Sequence, residues 1–443
     1  MNFLNTIELN ANGCIFHGLE FEKRTEFRGI RYANAKRWEY PEMCEYTGGA
    51  YDARNFGNCS PQHRAFEDDA TVNSFYHKEF RRGGTFTYGE DCLFLNIYAP
   101  KEAKKAPVLI FIHGGSFTGG SANEGHISGE KYAEKGIAFV SINYRLGAFG
   151  FCAHPDVATD GACGNFGLYD QLAAIKWVKK YISYFGGDDE NITLSGQSAG
   201  AMSVDILISS PLCKGLAQKA ILLSAAGLQR KIARPVKPSS VKGFWEKIMK
   251  NAGAQTMEQL KEIDAEKLYF AWKKGCKEDK LSMLYTLPVY DGKLLTKETF
   301  NMHTIPQMPK IIGITTEDMV PAVLQILAKK WMKNDKSNCY LYCFARRLPG
   351  DENGAWHASD LLYVFGMLKN SWRPFDKTDY KISDEMINAL CEFAKSGNPN
   401  CAELPKWEPG YKKAMIFCEN TQFTKLPGKL LWKSTLFNRE PKE

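Results

Sequence analysis

The hydrophobic pattern changes character along the chain. Through its middle and end, short and nearly all-apolar runs stand at 108–113, 137–143, 192–196, 220–224, 310–315, 339–345 and 414–419. Runs of that length with few polar interruptions are what strands buried on both faces require. Between the second and third, Leu168, Leu172, Ile175, Val178 and Ile182 recur at helical spacing over 166–182, which predicts one apolar helix face. Another helix follows Ser198 and stops before Pro211. Near the end, Ser383 reads as the opening of a helix with Met386, Leu390 and Phe393 inward, closed by Gly397. Strand and helix alternating in this way predict an α/β fold, with a doubly wound, mostly parallel central sheet and flanking helices.

Two regions depart from that alternation. The first hundred residues read as hairpin strands and loops, ending in a strand at 93–99. Residues 228–300 are Lys-rich, with helices expected at 241–250 and 257–274. They interrupt the sheet pattern, so they are expected to form a helical cap or substrate-lining insertion within a single domain spanning 1–443.

Composition narrows the function classes. With 44% hydrophobic and 24% charged residues in 443, the chain is ordinary globular material able to bury a large core. The net charge of +7 is spread along the chain without a dense basic run, so no nucleic-acid partner is expected. The 13 cysteines are irregularly spaced and form no CxxC pair, which suggests reduced thiols. No basic n-region followed by an apolar h-region opens the sequence, and no run of eighteen apolar residues occurs. A cytoplasmic location with no membrane association is therefore expected. Oligomeric state is not legible.

The chemistry concentrates in a few segments. Ile192-Thr-Leu-Ser-Gly196-Gln-Ser198-Ala-Gly200 has the form strand, G-x-S-x-G, helix. Such a turn forces the serine into a strained backbone, and side chains two residues away on either side would clash, so glycine stands there. The Ser198 hydroxyl is then exposed at the start of a helix, whose N–H groups and dipole favour developing negative charge. His113-Gly114-Gly115-Ser-Phe117 directly follows a strand. Gly114 and Gly115 can present bare N–H groups to an oxyanion, with Ala199 as a third donor; losing one such donor costs about 3–4 kcal/mol. A serine nucleophile needs a base and the base an orienting acid, in the chain order Ser, acid, His. Of eight histidines, His357 lies after the strand at 339–345, in Gly354-Ala-Trp-His357-Ala-Ser-Asp. The strand at 310–315 ends in two adjacent carboxylates, Glu317 and Asp318, and position alone leaves both open. No metal or other cofactor is required. Phe117, Phe166, Trp356, Tyr363 and Phe365 lie near these motifs in sequence. Phe117, Trp356 and Phe166 are taken as substrate-lining, which favours small to medium apolar or aromatic esters.

These residues resemble the type-B carboxylesterase or cholinesterase-like family of the α/β-hydrolase superfamily, in a short, bacterial-type form. Phe27-Arg-Gly-Ile-Arg-Tyr-Ala33 is similar to its F-x-G-I-P-Y-A, and Glu90-Asp-Cys-Leu-Phe-Leu-Asn-Ile97 to its E-D-C-L-x-L-N. His113–Phe117, Asn143–Phe151, Gly164–Gln171, Gly196–Gly200, Pro288–Gly292 and Phe393–Pro399 match in order. The resemblance implies a serine carboxylesterase working through an acyl-enzyme, with Ser198 and His357 in the triad. Aligning the family's G-x-x-x-x-E-G on Gly313 implies Asp318 as the acid, where Glu is commoner. It also implies ion pairs Arg37–Glu90 and Arg145–Asp170. Cys59 and Cys92 occupy places that secreted members bridge, and reduced thiols are expected for both. Gln197 stands where cholinesterases have Glu, which argues against choline esters, and the shorter chain suggests a more open pocket. Two other readings stay open: amide, thioester or other acyl transfer on the same triad, and a non-catalytic adhesion-type relative.

Overall fold

The computed structural model describes residues 5–279, 286–301 and 303–426. Thirteen strands form one sheet among the described residues, twelve of them along a single path. In chain order they are β1 (Asn5–Ala11), β2 (Cys14–Glu20), β3 (Arg24–Arg31), β4 (Phe94–Pro100), β5 (Ala106–Ile112), β6 (Ala138–Ile142), β7 (Gly187–Gln197), β8 (Lys219–Leu223), β9 (Lys310–Thr315), β10 (Cys339–Phe344), β11 (Ala414–Phe417) and β12 (Gln422–Thr424). In space they run β1-β2-β3-β4-β6-β5-β7-β8-β9-β10-β11-β12, with a short strand, Ala50–Asp52, pairing beside β2. Every pairing from β6 across to β11 is parallel. The β1–β4 hairpins and β12 are antiparallel edges.

The central strands are apolar at nearly every position because each faces a core on both sides. Val108, Ile110 and Ile112 of β5 enter one cluster, while Leu109 and Phe111 enter the other. In β10, Leu341 and Cys343 point to the first and Tyr340, Tyr342 and Phe344 to the second. This is the two-residue alternation of a pleated strand, expressed here as two cores and not as inside against outside. Helix α1 (Phe166–Tyr181) has Leu168, Leu172, Ile175 and Val178 buried in the first core, and α2 (Ala199–Ser209) sits against it as well. No helix among the described residues is long and apolar enough to cross a membrane.

Two sequence-based boundaries are corrected. Residues 257–274 are not one helix: α4 (Met257–Glu262) ends and α5 (Ala265–Glu278) begins afresh, with the Asp264 carboxylate capping the N–H groups of Glu266 and Lys267. The late helix does not open at Ser383. It is α6 (Lys377–Ser396), begun by a capping box between Asp376 and Asp379. Ser383 lies a turn and a half inside it, buried, with its hydroxyl donating to the Tyr363 carbonyl at 2.7 Å. Gly397, at φ 80°, closes it as expected. Together with α3 (Lys242–Ala252), α4 and α5 build a third core around Trp245, Leu260 and Leu268, which also takes in Trp38, Phe149 and Phe166. Among the described residues, 286–301 adds loops and no helix.

The ion pairs expected from the resemblance are present. Arg145 Nε and Nη2 grip Asp170 at 2.8 and 2.7 Å, with both side chains buried. Arg37 Nε meets Glu90 at 2.8 Å, and its Nη1 donates to the Ile263 carbonyl at 2.6 Å, tying the end of α4 to the loop before β4.

Candidate active site

The parallel register aligns the carboxyl ends of neighbouring strands. Ile112 pairs with Gly196, Gly196 with Leu222, Leu223 with Gly313, and Gly313 with Tyr342. The segments that follow β5, β7, β8, β9 and β10 therefore emerge along one edge of the sheet. They carry His113–Phe117, Ser198, Ser224, Asp318 and His357.

Ser198 occupies the turn between β7 and α2 at φ 54° and ψ −123°, a backbone region that costs a non-glycine residue of the order of 1–3 kcal/mol. The glycines around it are obligatory by contact. A Cβ on Gly200 would lie 2.0 Å from the Ile112 carbonyl oxygen, and one on Gly196 would lie 2.4 Å from the Gly200 carbonyl carbon. The hydroxyl of Ser198 is partly exposed and makes no hydrogen bond to any other described residue.

The loop after β5 closes against this turn. A Cβ on Gly114 would stand 3.1 Å from Ser198 Cβ and 2.6 Å from the Gln197 carbonyl oxygen, so only glycine lets the two backbones meet. Gly115, at φ 113°, starts a turn in which Thr118 and Gly119 both donate to its carbonyl. The His113 ring stacks on Tyr144, and its Nδ1 donates to the Gly114 carbonyl at 2.9 Å. Burial pulls that imidazole down to about 4, so it stays a neutral brace. Gln62 clamps the far end: its amide nitrogen donates to the Gly120 carbonyl and its oxygen accepts from the Gly120 N–H, each at 3.0 Å. The loop is thus fixed at several points, while the N–H groups of Gly114, Gly115 and Ala199 donate to no other described residue.

His357 and Asp318 are buried together. Nδ1 of His357 lies 2.5 Å from Asp318 Oδ1, so the ring carries its proton on Nδ1. The same carboxylate accepts from the N–H of Met319 at 2.8 Å and of Thr315 at 3.3 Å. Burial alone would pull the imidazole down; the charge and hydrogen bond of Asp318 outweigh it and hold the ring above its ordinary value. Burial opposes the Asp318 charge too, and the His357 partner prevails, keeping this carboxyl below the usual carboxylate range. Glu317 turns the other way. Its Oε2 accepts from the Ala355 N–H at 2.9 Å, and its own N–H donates to the Ala355 carbonyl at 3.1 Å. One carboxylate meets the ring while its neighbour holds the backbone that carries the ring.

Sequence reading missed several neighbours. Asp360, three residues beyond His357, is fully buried and accepts from the Tyr342 hydroxyl at 2.7 Å; burial pushes it up to about 6. Its signal was its place in the segment after His357. Tyr76 reaches the His357 carbonyl at 3.5 Å, and Phe75, Tyr76 and Phe80 pack on Trp356. No local signal marks those residues, which come some 280 positions earlier. Conversely, the aromatics expected to line a substrate pocket do not. Phe117, Phe166 and Trp356 show no exposed surface. Phe117 packs on Phe151, Phe166 faces Arg145 and Tyr40, and Trp356 lies under the 75–80 segment. Nearness in sequence to the motifs did not bring their rings to the site: Phe117, Trp356 and Phe166 each fill one of the three cores. Among the described residues, no His, Cys, Asp or Glu side chains gather as a metal-ligand set.

Comparison with known proteins adds to this geometry. The chain is 30% identical over 453 residues to the para-nitrobenzyl esterase of Bacillus subtilis (strain 168), covering 87% of this chain and 88% of that protein. It is 29% identical over 485 residues to the bile salt-activated lipase of Mus musculus, covering 86% and 77% of the two chains. The solved structure of a Geobacillus stearothermophilus carboxylesterase superposes with a TM-score of 0.76 at 26% identity, covering 95% of this chain and 98% of the other. The model of the carboxylesterase family matches residues 15–332 and 322–427. A thirteen-strand sheet with seven parallel members at its centre, a strained serine turn and a buried His–Asp pair at one edge thus accompany sequence likeness along nearly the whole chain, and the protein belongs to the carboxylesterase family as a carboxylic ester hydrolase of the α/β-hydrolase fold.

Proposed function

We propose that Ser198, His357 and Asp318 are the catalytic triad and that the N–H groups of Gly114, Gly115 and Ala199 form the oxyanion hole. The observation that carries this reading is the 2.5 Å contact between His357 Nδ1 and Asp318, on the sheet edge that also holds the strained Ser198 turn. With Nδ1 protonated, Nε2 keeps the lone pair a base needs. Ser198 Oγ attacks the ester carbonyl and its proton passes to Nε2. The three N–H groups hold the charge that develops on the carbonyl oxygen. The imidazolium, stabilised by Asp318, protonates the departing alkoxide and leaves an acyl-enzyme. Water attacks that acyl group with the same base, releasing the acid.

Small to medium apolar or aromatic esters are the substrates of this reading by likeness to the para-nitrobenzyl esterase, since Phe117, Phe166 and Trp356 lie in the cores and give it no support. The helices of 228–300 serve as a cap; their support is Trp272, 3.8 Å from where a Gly147 Cβ would stand, and the contact of Lys273 and Tyr269 with Glu67. A cytoplasmic setting accords with Cys59, whose Sγ is a hydrogen-bond neighbour of Ser121 at 2.9 Å and whose acidity burial suppresses. The test is a panel of p-nitrophenyl esters from acetate to decanoate, run with wild type and Ser198→Ala. Turnover that disappears in the variant, together with organophosphate mass added at Ser198 alone, is expected. Equal turnover by both proteins would end the proposal, and amide or thioester cleavage outrunning ester cleavage would reassign the substrate.

A further inference from the structure

Gln197 immediately precedes the nucleophile and is buried, with 3% of its surface exposed. Its amide nitrogen lies 3.2 Å from His357 Nε2. Since Nδ1 already gives its proton to Asp318, Nε2 in the neutral ring offers only a lone pair, and the amide is the donor. Ser198 makes no hydrogen bond to a described residue in the same structure. The acceptor that the proposed mechanism assigns to the serine proton is thus occupied by the residue beside it. The other end of the same amide points to the oxyanion loop: Gln197 Oε1 lies 2.7 Å from where a Gly114 Cβ would stand, so the missing side chain gives the amide its room.

We infer that Gln197 is a positioning residue for His357, which holds the ring with Nε2 unprotonated until substrate draws Ser198 into place, and then turns its carbonyl to the imidazolium. This rests on the triad proposed above. An amide N–H can donate to a lone pair but not to a ring N–H. When the proton moves from Ser198 Oγ to Nε2, the donor becomes a mismatch. Half a turn of the amide group replaces N–H by Oε1, which accepts from the new N–H. When the proton passes on to the alkoxide, the amide returns. No atom of Gln197 is consumed. A carboxylate could serve only the second state, and an apolar side chain neither.

The groups facing this ring are few. Asp318 comes from the loop after β9, and Asp360 acts from the ring's own segment, with Tyr342 on β10 bonded to it. Tyr76 donates its hydroxyl to the His357 carbonyl, and Glu317 is engaged at Ala355. Gln197 is the group that meets Nε2, so changing it addresses that nitrogen directly.

The experiment measures kcat/KM for p-nitrophenyl acetate from pH 5 to 10 on the full chain, in wild type, Gln197→Glu, Gln197→Met and Ser198→Ala. In Gln197→Glu the introduced carboxylate accepts from imidazolium and disfavours the neutral ring. The acid limb of that variant is expected to move up by about one pH unit or more, the size of effect a carboxylate at this range exerts, with activity recovering as the pH rises. In Gln197→Met the donor to the neutral ring and the acceptor from the imidazolium are lost together, so the limb is expected to stay within about half a unit of wild type while kcat/KM falls about fivefold or more at every pH. An acid limb unmoved in Gln197→Glu would make Gln197 mere packing and overturn the inference, as would a limb moving down in that variant. Failure of the triad itself looks different: Ser198→Ala would then retain wild-type turnover whatever the Gln197 variants do. Should Gln197→Glu not fold, Gln197→Met decides, and wild-type kcat/KM across the pH range in that variant would overturn the inference.

Discussion

Asp318 and Glu317 are chemically near-equal and adjacent, and the structure gives them opposite tasks. The perturbation that separates them is removal of one charge at a time with shape kept, as Asp318→Asn and Glu317→Gln. Oδ1 of Asp318 receives two donors, His357 Nδ1 and the Met319 N–H. An asparagine there sets its amide nitrogen against one backbone N–H in either orientation, Met319 at Oδ1 or Thr315 at Oδ2, so the loss of charge is the smallest effect expected, and a change of ring tautomer would add to it. Opposite charges about 4 Å apart attract by about 4 kcal/mol at an effective dielectric near 20. In the proposed mechanism that attraction stabilises the imidazolium of the transition state, and at 1.36 kcal/mol per decade it amounts to about a thousandfold in kcat. Glu317→Gln keeps a carbonyl oxygen for the Ala355 N–H now held at 2.9 Å, so kcat is expected to stay within about tenfold, since a neutral hydrogen bond of this kind contributes about 1 kcal/mol. The assay is kcat on p-nitrophenyl acetate at pH 8, with thermal unfolding run beside it to certify folding. An Asp318→Asn enzyme within tenfold of wild type, or a Glu317→Gln enzyme down a thousandfold, would refute the assignment.

Three other outcomes follow from the same geometry. In Gly114→Ala the new methyl would lie 2.6 Å from the Gln197 carbonyl oxygen; the loop must move, and kcat should fall about a hundredfold or more with KM less affected, the signature of a displaced oxyanion donor, whereas full activity would remove Gly114 from that role. Arg145→Met leaves Asp170 buried without its cation, so the urea midpoint should drop by the equivalent of about 3–5 kcal/mol; an unchanged midpoint would mean the pair contributes nothing. Lastly, in the proposed triad a protonated His357 cannot take the Ser198 proton, and Asp318 holds the ring above its ordinary value. The wild-type kcat/KM should therefore fall as the pH drops through a value above about 6.5, and in Asp318→Asn the limb should shift to lower pH; a shift upward would contradict the ion pair.

What the sequence disclosed divides along physical lines. Backbone constraints were legible because they demand particular residues. Gly196 and Gly200 flank Ser198 because carbonyls stand at about 2 Å from any side chain there. Strand runs at 108–113 and 310–315 were legible because burial on both faces leaves polar residues only at their ends. Direction was not legible. Phe117 and Trp356 sit beside site residues in the chain, yet their rings point into the cores, since neighbouring side chains diverge and sequence adjacency carries no bearing. The start of α6 was misplaced because Ser383 precedes an apolar stripe as a cap would, while the actual cap, Asp376, is followed by the polar turn Lys377–Tyr380. Nothing local announces that Tyr76 meets His357, because the recognition lies wholly in how the chain is wound.

That last contact has a consequence for how the protein is made. Residues 75–80 leave the ribosome long before Trp356, the indole they cover, has been translated. Strand β5 is likewise made before β7, one of the two strands between which it lies. The nascent chain must hold an unfilled aromatic surface through most of translation, the kind of exposure that invites aggregation or a chaperone. On the proposed triad, which joins Ser198 to His357, esterase activity is then a readout of completed assembly and not of any part of it.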